Sequence, residues 1–510
     1  MINPNPEPRT NEITEGIDRF FDLYDRGLIS LNTLHLLVGG TGSGKTFAAR
    51  ELMIPKLARR GCPLIIYAYP ELSIAEPREL MEVAHRIGYE YVNNISDAID
   101  LLELGECVVL DYCDKTVGKP DWKRMIDCVY GAEGRVLFDN GHVGFLADEA
   151  HARTSTTPET FLHAKGLSPH TFDAVYMTAL KEDLFDRDCP FVFGLTATPN
   201  REHTGNIPGS TIKWSFINVR PAPSFTACAS VGSAEHYHLP LKRRGQSCDD
   251  YLTEHGGSPA IMTNVHKCLE NLADRMFSTE TDTGHKCAGM LVGSFIGCGY
   301  GMDLDEHLPD YVEILARSAE RHGIPWNDKM CAILTSAQSG FLDRSGNVCA
   351  PIGKNEIDQK VKRFMDAPKH PLRWIFVKSK GTMGINIGRI KHVMIARPFP
   401  TKAAAKYADE YGVFHFIESF LQIFGRATRL HPLNGKKFDH DGNYDLTGLL
   451  HDLRDNPEMR ETLLRLNSIH LVCPDWEMWE KAVEVFQLDH AHPVVTTRNE
   501  WTRMVMHRPL

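Results

Sequence analysis

Short apolar runs, separated by longer stretches of helical spacing, recur along the first two hundred residues of the chain. Five such runs are bounded by polar or turn residues: 34–38, 64–68, 107–110, 143–147 and 191–195. Runs of this kind, alternating with helices, predict a mostly parallel sheet that is buried on both faces. Before the first run, Ile17, Phe20, Phe21 and Tyr24 recur at helical spacing, which predicts an amphipathic helix.

A second series of apolar runs follows a weakly patterned stretch that is rich in Gly, Ser, Thr and His. Its runs are 288–292, 332–334, 374–377 and 392–395. Beyond residue 429 the chain turns polar, and helical patterns return at 445–466 and 476–486. The predicted organisation is one α/β domain over 1–205, a linker or insert over 206–284, a second α/β domain over 285–432 and a small, mostly helical extension over 433–510.

Composition is consistent with a multidomain globular protein, since a chain of 510 residues exceeds the roughly 250–300 residues at which single cores stop growing. No apolar run approaches the ~20 residues that span a bilayer, so no membrane segment is expected. The first eight residues lack the basic start and apolar core of a secretory signal. Thirteen cysteines without a Cys-x-x-Cys pair argue against a zinc ribbon or a disulfide framework, and indicate reduced thiols in a cytoplasmic protein.

The segment Gly39-Gly40-Thr41-Gly42-Ser43-Gly44-Lys45-Thr46 follows the first apolar run and precedes a helical stretch. This is the context of a P-loop, in which the glycines allow backbone N–H groups to surround phosphates. We expect Lys45 to reach the β- and γ-phosphates and the Thr46 hydroxyl to bind Mg²⁺. The sequence therefore predicts a nucleotide site whose cofactors are ATP and Mg²⁺.

Two carboxylates, Asp148 and Glu149, follow directly after the run 143–147. At the carboxyl end of a buried strand, Asp148 is expected to hold Mg²⁺ directly or through water, while Glu149 orients and deprotonates the attacking water. Acidic pairs at strand ends are common, and this pair indicates a nucleotide site because it follows a P-loop.

The sequence Asp148-Glu149-Ala150-His151, downstream of this P-loop, resembles the DEAH box of superfamily 2 helicases and translocases, and the similarity extends from residue 33 to about 429. The resemblance implies two tandem RecA-like P-loop domains, with parallel sheets flanked by helices. It also implies that ATP binds in the cleft between the two lobes and that nucleic acid lies across both.

Two further segments match coupling elements of that family. Thr196 and Thr198 follow the run 191–195 and resemble the motif that links the ATP site to the nucleic-acid groove, although a hydroxyl-rich turn closing a strand is the alternative. His151 is a coupling candidate through contact with this turn or with Gln422, and a purely structural histidine is equally consistent with the sequence.

The segment 422–429 resembles the last family motif, with Gln422, Arg426 and Arg429 expected on one face of a helix. The resemblance implies that its arginines enter the ATP cleft and neutralise charge on the γ-phosphoryl group. Residues 378–387 resemble motif V and contain Gly384 and Asn386; many members have Asp where Asn386 stands, a departure similar to phage-type enzymes. Lys378 and Lys380 are either phosphate contacts or solvated surface lysines.

The resulting hypothesis is an ATP-dependent helicase acting on nucleic acid, with DNA favoured over RNA, in a bacterial or phage-infected cytoplasm. A net charge of −10 requires any such contact to use a local groove. The alternatives are a translocase or remodeller of duplex or branched nucleic acid, an RNA helicase, and a non-enzymatic binding module with a relic ATP site. The extension over 433–510 is expected to brace the second lobe, separate strands or contact a protein partner.

Overall fold

The computed structural model places two compact units along the chain, Met1–Ala222 and Pro223–Leu510. It describes residues 8–29, 31, 33–38, 45–69, 77–113, 121–131, 138, 141–148, 150, 184, 187–196, 213–218, 230–236, 247–254, 256–293, 303–335, 338–352, 357–378, 387–396, 423, 427, 431, 457–473 and 504–505. Each unit contains a sheet of its own, and the two are described separately.

The first unit is built on a seven-stranded sheet in which every pairing between neighbouring strands is parallel. Its strands are β1 (Thr33–Val38), β2 (Leu64–Tyr69), β3 (Glu90–Val92), β4 (Val108–Cys113), β5 (Val143–Ala147), β6 (Val192–Thr196) and β7 (Lys213–Asn218). Its helices are α1 (Pro8–Asp25), α2 (Lys45–Ala48), α3 (Ile54–Ala58), α4 (Pro77–Ile87), α5 (Ile95–Glu103) and α6 (Trp122–Tyr130). The strand order is β3-β4-β2-β5-β6-β1-β7, so β6 separates β1 from β5.

Both faces of this sheet are covered by helices, because alternate side chains along each strand enter two different cores. On β2, Leu64 and Ile66 join the core formed with α5 and α6, whereas Ile65 joins the core formed with α1, α3 and α4. The central strands β2, β4, β5 and β6 are buried at every position. This explains why they appear in the sequence as continuous apolar runs rather than as alternating ones.

Helix α1 packs its aromatic side chains into the second of these cores. The ring centroids of Phe20 and Phe193 are 4.8 Å apart, those of Tyr24 and Phe191 are 4.5 Å apart, and Phe21 is 1% exposed. The amphipathic helix predicted from the sequence is therefore confirmed, and its aromatic stripe belongs to the core.

The second unit contains a nine-stranded mixed sheet in the order β12-β11-β10-β13-β9-β14-β15-β8-β16. Its strands are β8 (Ser230–His236), β9 (Ala288–Gly293), β10 (Cys331–Leu334), β11 (Ser339–Leu342), β12 (Val348–Pro351), β13 (Trp374–Val377), β14 (Ile390–Ala396), β15 (Ser468–Cys473) and β16 (Met504–Val505). Its helices are α7 (Cys248–Glu254), α8 (Gly257–Thr283), α9 (Leu304–Arg321), α10 (Ile357–Asp366) and α11 (Pro457–Leu466). The six strands from β10 to β8 in this order run parallel, and antiparallel strands lie at both edges.

A close approach between neighbouring strands marks the core of the second unit. Trp374 is fully buried and pairs in register with Gly289 on β9. A Cβ atom added to Gly289 would lie 2.0 Å from the indole ring, so only glycine leaves room for this tryptophan. Side chains of α8 and α9, including Leu269 and Leu315, complete the same core.

Buried cations lie at the amino-terminal side of strands β9 and β14. The Nζ of Lys286 donates to the carbonyls of Phe364 (2.9 Å) and Ala367 (3.0 Å). Arg389 is fully buried and donates to the carbonyls of Lys286 (2.9 Å) and Asp366 (3.0 Å). Burial, reinforced by neighbouring arginines, lowers the pKa of Lys286 to about 7.

The segments expected to link or extend the two domains also contribute to the sheets. Within 206–284, β7 joins the first sheet and β8 joins the second, while α8 packs into the second core. Within 433–510, β15 lies between β14 and β8. Neither β8 nor β15 was expected from the sequence, because Ser230–His236 alternates small and polar residues and Ser468–Cys473 follows a helical pattern directly.

The predicted fold class, two tandem α/β units built on parallel sheets with helices against them, is confirmed, although antiparallel strands lie at the edges of the second sheet. All nine apolar runs singled out in the sequence coincide with strands. In the described part of the chain, no helix has the length and apolar character needed to cross a membrane.

Candidate functional site

Strands β1, β5 and β6 of the first sheet end at a common edge, where the predicted site residues follow them. Because these strands are parallel, their carboxyl ends meet on one side of the sheet, the side where ligands bind in open α/β folds. Thr196, the last residue of β6, lies in register with Val38, the last residue of β1. Asp148 follows the last residue of β5.

Thr46 and Asp148 are brought into direct contact at this edge. The Thr46 Oγ1 donates a hydrogen bond of 2.9 Å to Asp148 Oδ2, although the two residues are 102 positions apart in the chain. Asp148 is 4% exposed, and its backbone N–H donates to the carbonyl of Ala68 on β2 at 2.7 Å. Asp148 is therefore fixed both by the hydrogen bond that its backbone N–H donates and by the hydrogen bond that its carboxylate accepts.

A third residue, Tyr67, fixes the same carboxylate oxygen. Its hydroxyl donates to Asp148 Oδ2 at 2.7 Å from the adjacent strand β2, and the tyrosine is 4% exposed. Hydrogen bonds to an ionised acceptor are roughly twice as strong as neutral ones. The sequence did not single out Tyr67, because a tyrosine inside an apolar run is expected to be part of the core. The available signal was a hydroxyl in an apolar strand, and Tyr69 of the same strand carries that signal equally.

The helical segment that carries Lys45 and Thr46 is anchored firmly below the site. Helix α2 begins at Lys45 and continues through a π-helical turn, Ala49–Met53, into α3. Pro55 lacks the N–H that would bond four residues back, which is consistent with the irregular turn immediately before it. Arg50 in this turn is 6% exposed and pairs with Glu79 of α4 at 2.5 Å.

A second buried carboxylate, Asp111, occupies the neighbouring strand β4. Tyr91 donates to Asp111 Oδ2 at 2.6 Å, and Tyr69 also bonds to it. Burial raises the pKa of Asp111, and the two tyrosine hydrogen bonds oppose that rise. The sequence predicts no site at Asp111, and its Oδ1 atom has no hydrogen-bond partner among the described residues.

The oxygen atoms of Thr46 and Asp148 suit a hard divalent cation. A hydroxyl has one O–H donor and two lone pairs, so Thr46 can donate to Asp148 and still offer a lone pair to a metal. Mg²⁺ prefers oxygen ligands of this kind and is commonly held by one or two protein groups together with phosphate oxygens and waters. The donor set therefore fits the predicted Mg²⁺.

The other predicted residues of the first unit lie outside the described residues, and their roles stay predictions. These residues are Gly39, Gly40, Thr41, Gly42, Ser43, Gly44, Glu149, His151 and Thr198. Thr196 is described and is fully buried at the site edge, which agrees with its predicted position but does not test its coupling role.

In the second unit, part of the predicted helix at 422–429 is described. Ile423 and Ala427 are helical and fully buried, as expected for one face of a helix that packs on a core. The buried Lys391 donates to the Ala427 carbonyl at 3.1 Å, and the His431 backbone N–H donates to Asn467 at 2.8 Å. The remaining predicted residues of this unit lie outside the described residues: Gly384, Asn386, Gln422, Arg426 and Arg429.

Lys378, the first residue of the motif V segment, is not a solvated surface lysine, and its contact with phosphate stays a prediction. Its ammonium group forms an ion pair with Asp305 in the first turn of α9, and the residue is buried. A lysine that follows a buried strand is held inside the unit by this carboxylate. Lys380 lies outside the described residues.

Comparisons with known proteins find similarity among solved structures. No family model matches the chain, and no curated protein matches it. Solved structures similar to it include that of Mss116p (NTE and C-tail double deletion) bound to ssRNA and AMP-PNP, at 12% identity and a TM-score of 0.40, covering 89% of this chain and 74% of that chain. This similarity is too distant to assign a function. The functional assignment therefore rests on the geometry at the edge of the first sheet.

Proposed function

We propose that this protein is an ATP-dependent nucleic-acid motor of the helicase type, with DNA as its track. The observation that carries the proposal is the hydrogen bond between Thr46 and Asp148. It joins the last residue of a P-loop sequence to the acidic residue after a buried strand, as an ATP site with Mg²⁺ requires. Two residues 102 positions apart have no local reason to meet at the carboxyl edge of a parallel sheet.

Each residue of the site has a distinct role in this proposal. Lys45, at the start of α2, neutralises the β- and γ-phosphates, and the backbone N–H groups of 39–44 surround them. Thr46 and Asp148 hold Mg²⁺, which would neutralise phosphate charge during phosphoryl transfer. Tyr67 fixes the Asp148 side chain.

Hydrolysis is assigned to Glu149, which follows the metal-binding carboxylate by one position. It accepts a proton from the attacking water, a step that contributes about 10²–10⁴-fold to rate in enzymes that use it. Arg426 and Arg429 stabilise charge on the transferred γ-phosphoryl group, a contribution of about 10³–10⁵ in related NTPases. Thr196, Thr198, His151 and the motif V residues then connect the nucleotide state to the nucleic-acid track.

Steady-state ATP turnover tests the proposal. Turnover is measured without polymer, then with single-stranded DNA, duplex or branched DNA and single-stranded RNA, with Lys45→Ala as the blank. Strong stimulation by DNA is expected, because a motor couples hydrolysis to its track. Stimulation by RNA alone would identify an RNA helicase, and turnover that no polymer changes would contradict the motor.

Glu149→Gln separates binding from chemistry. This substitution keeps the shape of the side chain, so ATP binding should persist while turnover falls by about 10²–10⁴-fold. Glu106→Gln is a matched control, because Glu106 is an exposed glutamate before β4, away from the edge where Asp148 lies. Normal turnover in the Glu149 variant would show that another group activates the water.

A second candidate function, translocation on duplex or branched DNA without strand separation, uses the same site residues. Strand displacement on forked and blunt duplexes distinguishes the two. Release of a strand under ATP turnover supports the helicase, whereas DNA-stimulated turnover without release supports the translocase.

A further inference from the structure

Two long helices of the second unit, α8 and α9, pack against each other and bring three metal-ligand side chains together. His266 lies on α8, while His307 and Asp310 lie on α9. Residues three apart share one face of a helix, so His307 and Asp310 lie on the same face of α9. One ligand atom from each residue lies within 4.8 Å of the other two.

The contacts inside this cluster are too long to be its own hydrogen bonds. Asp310 Oδ2 is 3.9 Å from His266 Nε2 and 4.0 Å from His307 Nδ1, beyond hydrogen-bond range. The Nε2 atom of His266 is enclosed and has no hydrogen-bond partner among the described residues. A buried ring nitrogen without a partner calls for an explanation in the form of a water or an ion.

We propose that His266, His307 and Asp310 form a binding site for a divalent transition metal of the zinc class. Two imidazoles and one carboxylate are ligands that suit Zn²⁺ and its neighbours, whereas Mg²⁺ and Ca²⁺ prefer all-oxygen sites. Three protein ligands leave one position of a tetrahedral metal to water or to another group.

The distances allow this site to close with small side-chain movements. Ligand atoms of tetrahedral zinc are about 3.3–3.4 Å apart, given bonds of ~2.0–2.1 Å. The present separations are therefore wider by roughly an ångström, a gap that side-chain torsions can close. Asp310 is the movable member, since its side chain is 62% exposed, whereas those of His266 and His307 are 27% and 17% exposed.

The surroundings favour a metal over a permanent ion pair. Tyr311 packs on both imidazoles, with centroids 5.7 Å from His266 and 6.2 Å from His307, and restricts their orientations. Burial lowers the pKa of His266, although Asp310 opposes this, and the neutral imidazole is the form that binds metal. A metal here would add a link between α8 and α9, which already meet through apolar contacts in the core and through the ion pairs of Arg321 with Glu270 and Asp274.

Titration of the purified full chain with Co²⁺, followed by displacement with Zn²⁺, tests the site. Co²⁺ bound to nitrogen and oxygen gives weak visible bands, which distinguishes it from Co²⁺ bound to cysteine thiolates elsewhere in the chain. Wild-type protein should bind one equivalent more than His266→Gln/His307→Gln. Asp310→Asn, at an exposed position that does not threaten folding, should weaken binding by at least about tenfold.

His322→Gln provides the matched control. His322, directly after α9, has its Nε2 atom 3.6 Å from Oδ1 of Asp274 on α8, so it forms a comparable contact between one histidine and one carboxylate, without a third ligand. This variant should bind metal like the wild type. Zn²⁺ should also raise the unfolding temperature of wild type and of His322→Gln by several degrees, and leave that of the double variant unchanged.

Equal stoichiometry and affinity in wild type, Asp310→Asn and the double variant would overturn the proposal and leave the cluster as a set of side-chain contacts between helices. Loss of binding in His322→Gln to the same extent would also overturn it. Neither result depends on ATP turnover.

Discussion

Replacing Tyr67 with phenylalanine tests the structure of the nucleotide site by removing a single oxygen atom. The ring of Tyr67 remains in the core, and the variant loses the 2.7 Å hydrogen bond from its hydroxyl to Asp148 Oδ2. Asp148 stays 4% exposed in this environment and keeps the 2.9 Å hydrogen bond from Thr46. Tyr67→Phe therefore measures how much the first unit depends on fixing this carboxylate.

The expected magnitude follows from the charge of the acceptor. A hydrogen bond to a charged group contributes about 1.5–3 kcal/mol, and no cavity is created beyond one oxygen atom. For a unit of this size, each kcal/mol shifts the unfolding temperature by about 2–4 °C, so a loss of roughly 3–12 °C is expected. If Asp148 also binds Mg²⁺, loss of a partner that orients it should weaken Mg²⁺ binding by about 10–100-fold.

Two assays and one control variant separate these effects. Thermal unfolding without nucleotide measures the stability loss, and ATP turnover as a function of Mg²⁺ concentration measures the metal affinity. Tyr91→Phe removes a similar hydrogen bond, 2.6 Å from a tyrosine hydroxyl to the buried Asp111 on the neighbouring strand. It should lower stability comparably and leave the Mg²⁺ dependence unchanged.

Two results would refute this reasoning. If Tyr67→Phe unfolds at the wild-type temperature, the hydrogen bond does not stabilise the carboxylate. If both variants shift the Mg²⁺ dependence equally, the effect belongs to the whole sheet and Asp148 has no special relation to the metal.

Three further predictions concern the second unit. Folding lowers the pKa of Lys286 from 10.5 to about 7, so the unfolded chain binds its proton more tightly and the free energy of unfolding should increase as pH rises from about 7 towards 10.5. In urea unfolding, Lys286→Met should abolish this increase, whereas Lys329→Met, at an exposed lysine, should retain it. Burial lowers the pKa of His470 to about 4, so stability should fall as pH drops from 6.5 to about 4, and less steeply in His470→Phe. Gly289→Ala should lower the free energy of unfolding by about 1–3 kcal/mol or more, because its Cβ would collide with a buried indole ring. Thermal unfolding of this variant at the wild-type temperature would contradict the packing described.

Much of the architecture was predictable because burial on both faces makes a parallel strand a continuous apolar run. All nine such runs became strands, including the fully buried Leu64–Tyr69 and Trp374–Val377. Strands at or near the sheet edges were not predicted, since β7 and β8 lack a continuous apolar run. Their place in the sheets depends on hydrogen bonds to neighbouring strands, which no local pattern encodes.

The candidate site likewise has residues that local sequence patterns identified and residues that only the fold revealed. The P-loop spacing and the acidic pair after a buried run identified Thr46 and Asp148, because phosphate and metal binding demand particular residue types at particular positions. Tyr67 was missed, since its hydroxyl acquires a role only when β2 and β5 lie side by side. The burial of Lys378 was not evident from the sequence for a similar reason, because its partner Asp305 comes from a distant helix.

By itself, the sequence determined the strands that are buried on both faces, the glycine-rich phosphate motif and the carboxylate that follows a strand, all of which are local patterns. Only the tertiary structure decided which residues meet. It placed the Thr46 hydroxyl and the Tyr67 hydroxyl on the Asp148 carboxylate, and His266 beside His307 and Asp310 of another helix. The physical reason is that contacts between distant positions depend on strand order and helix packing, which the whole chain sets together.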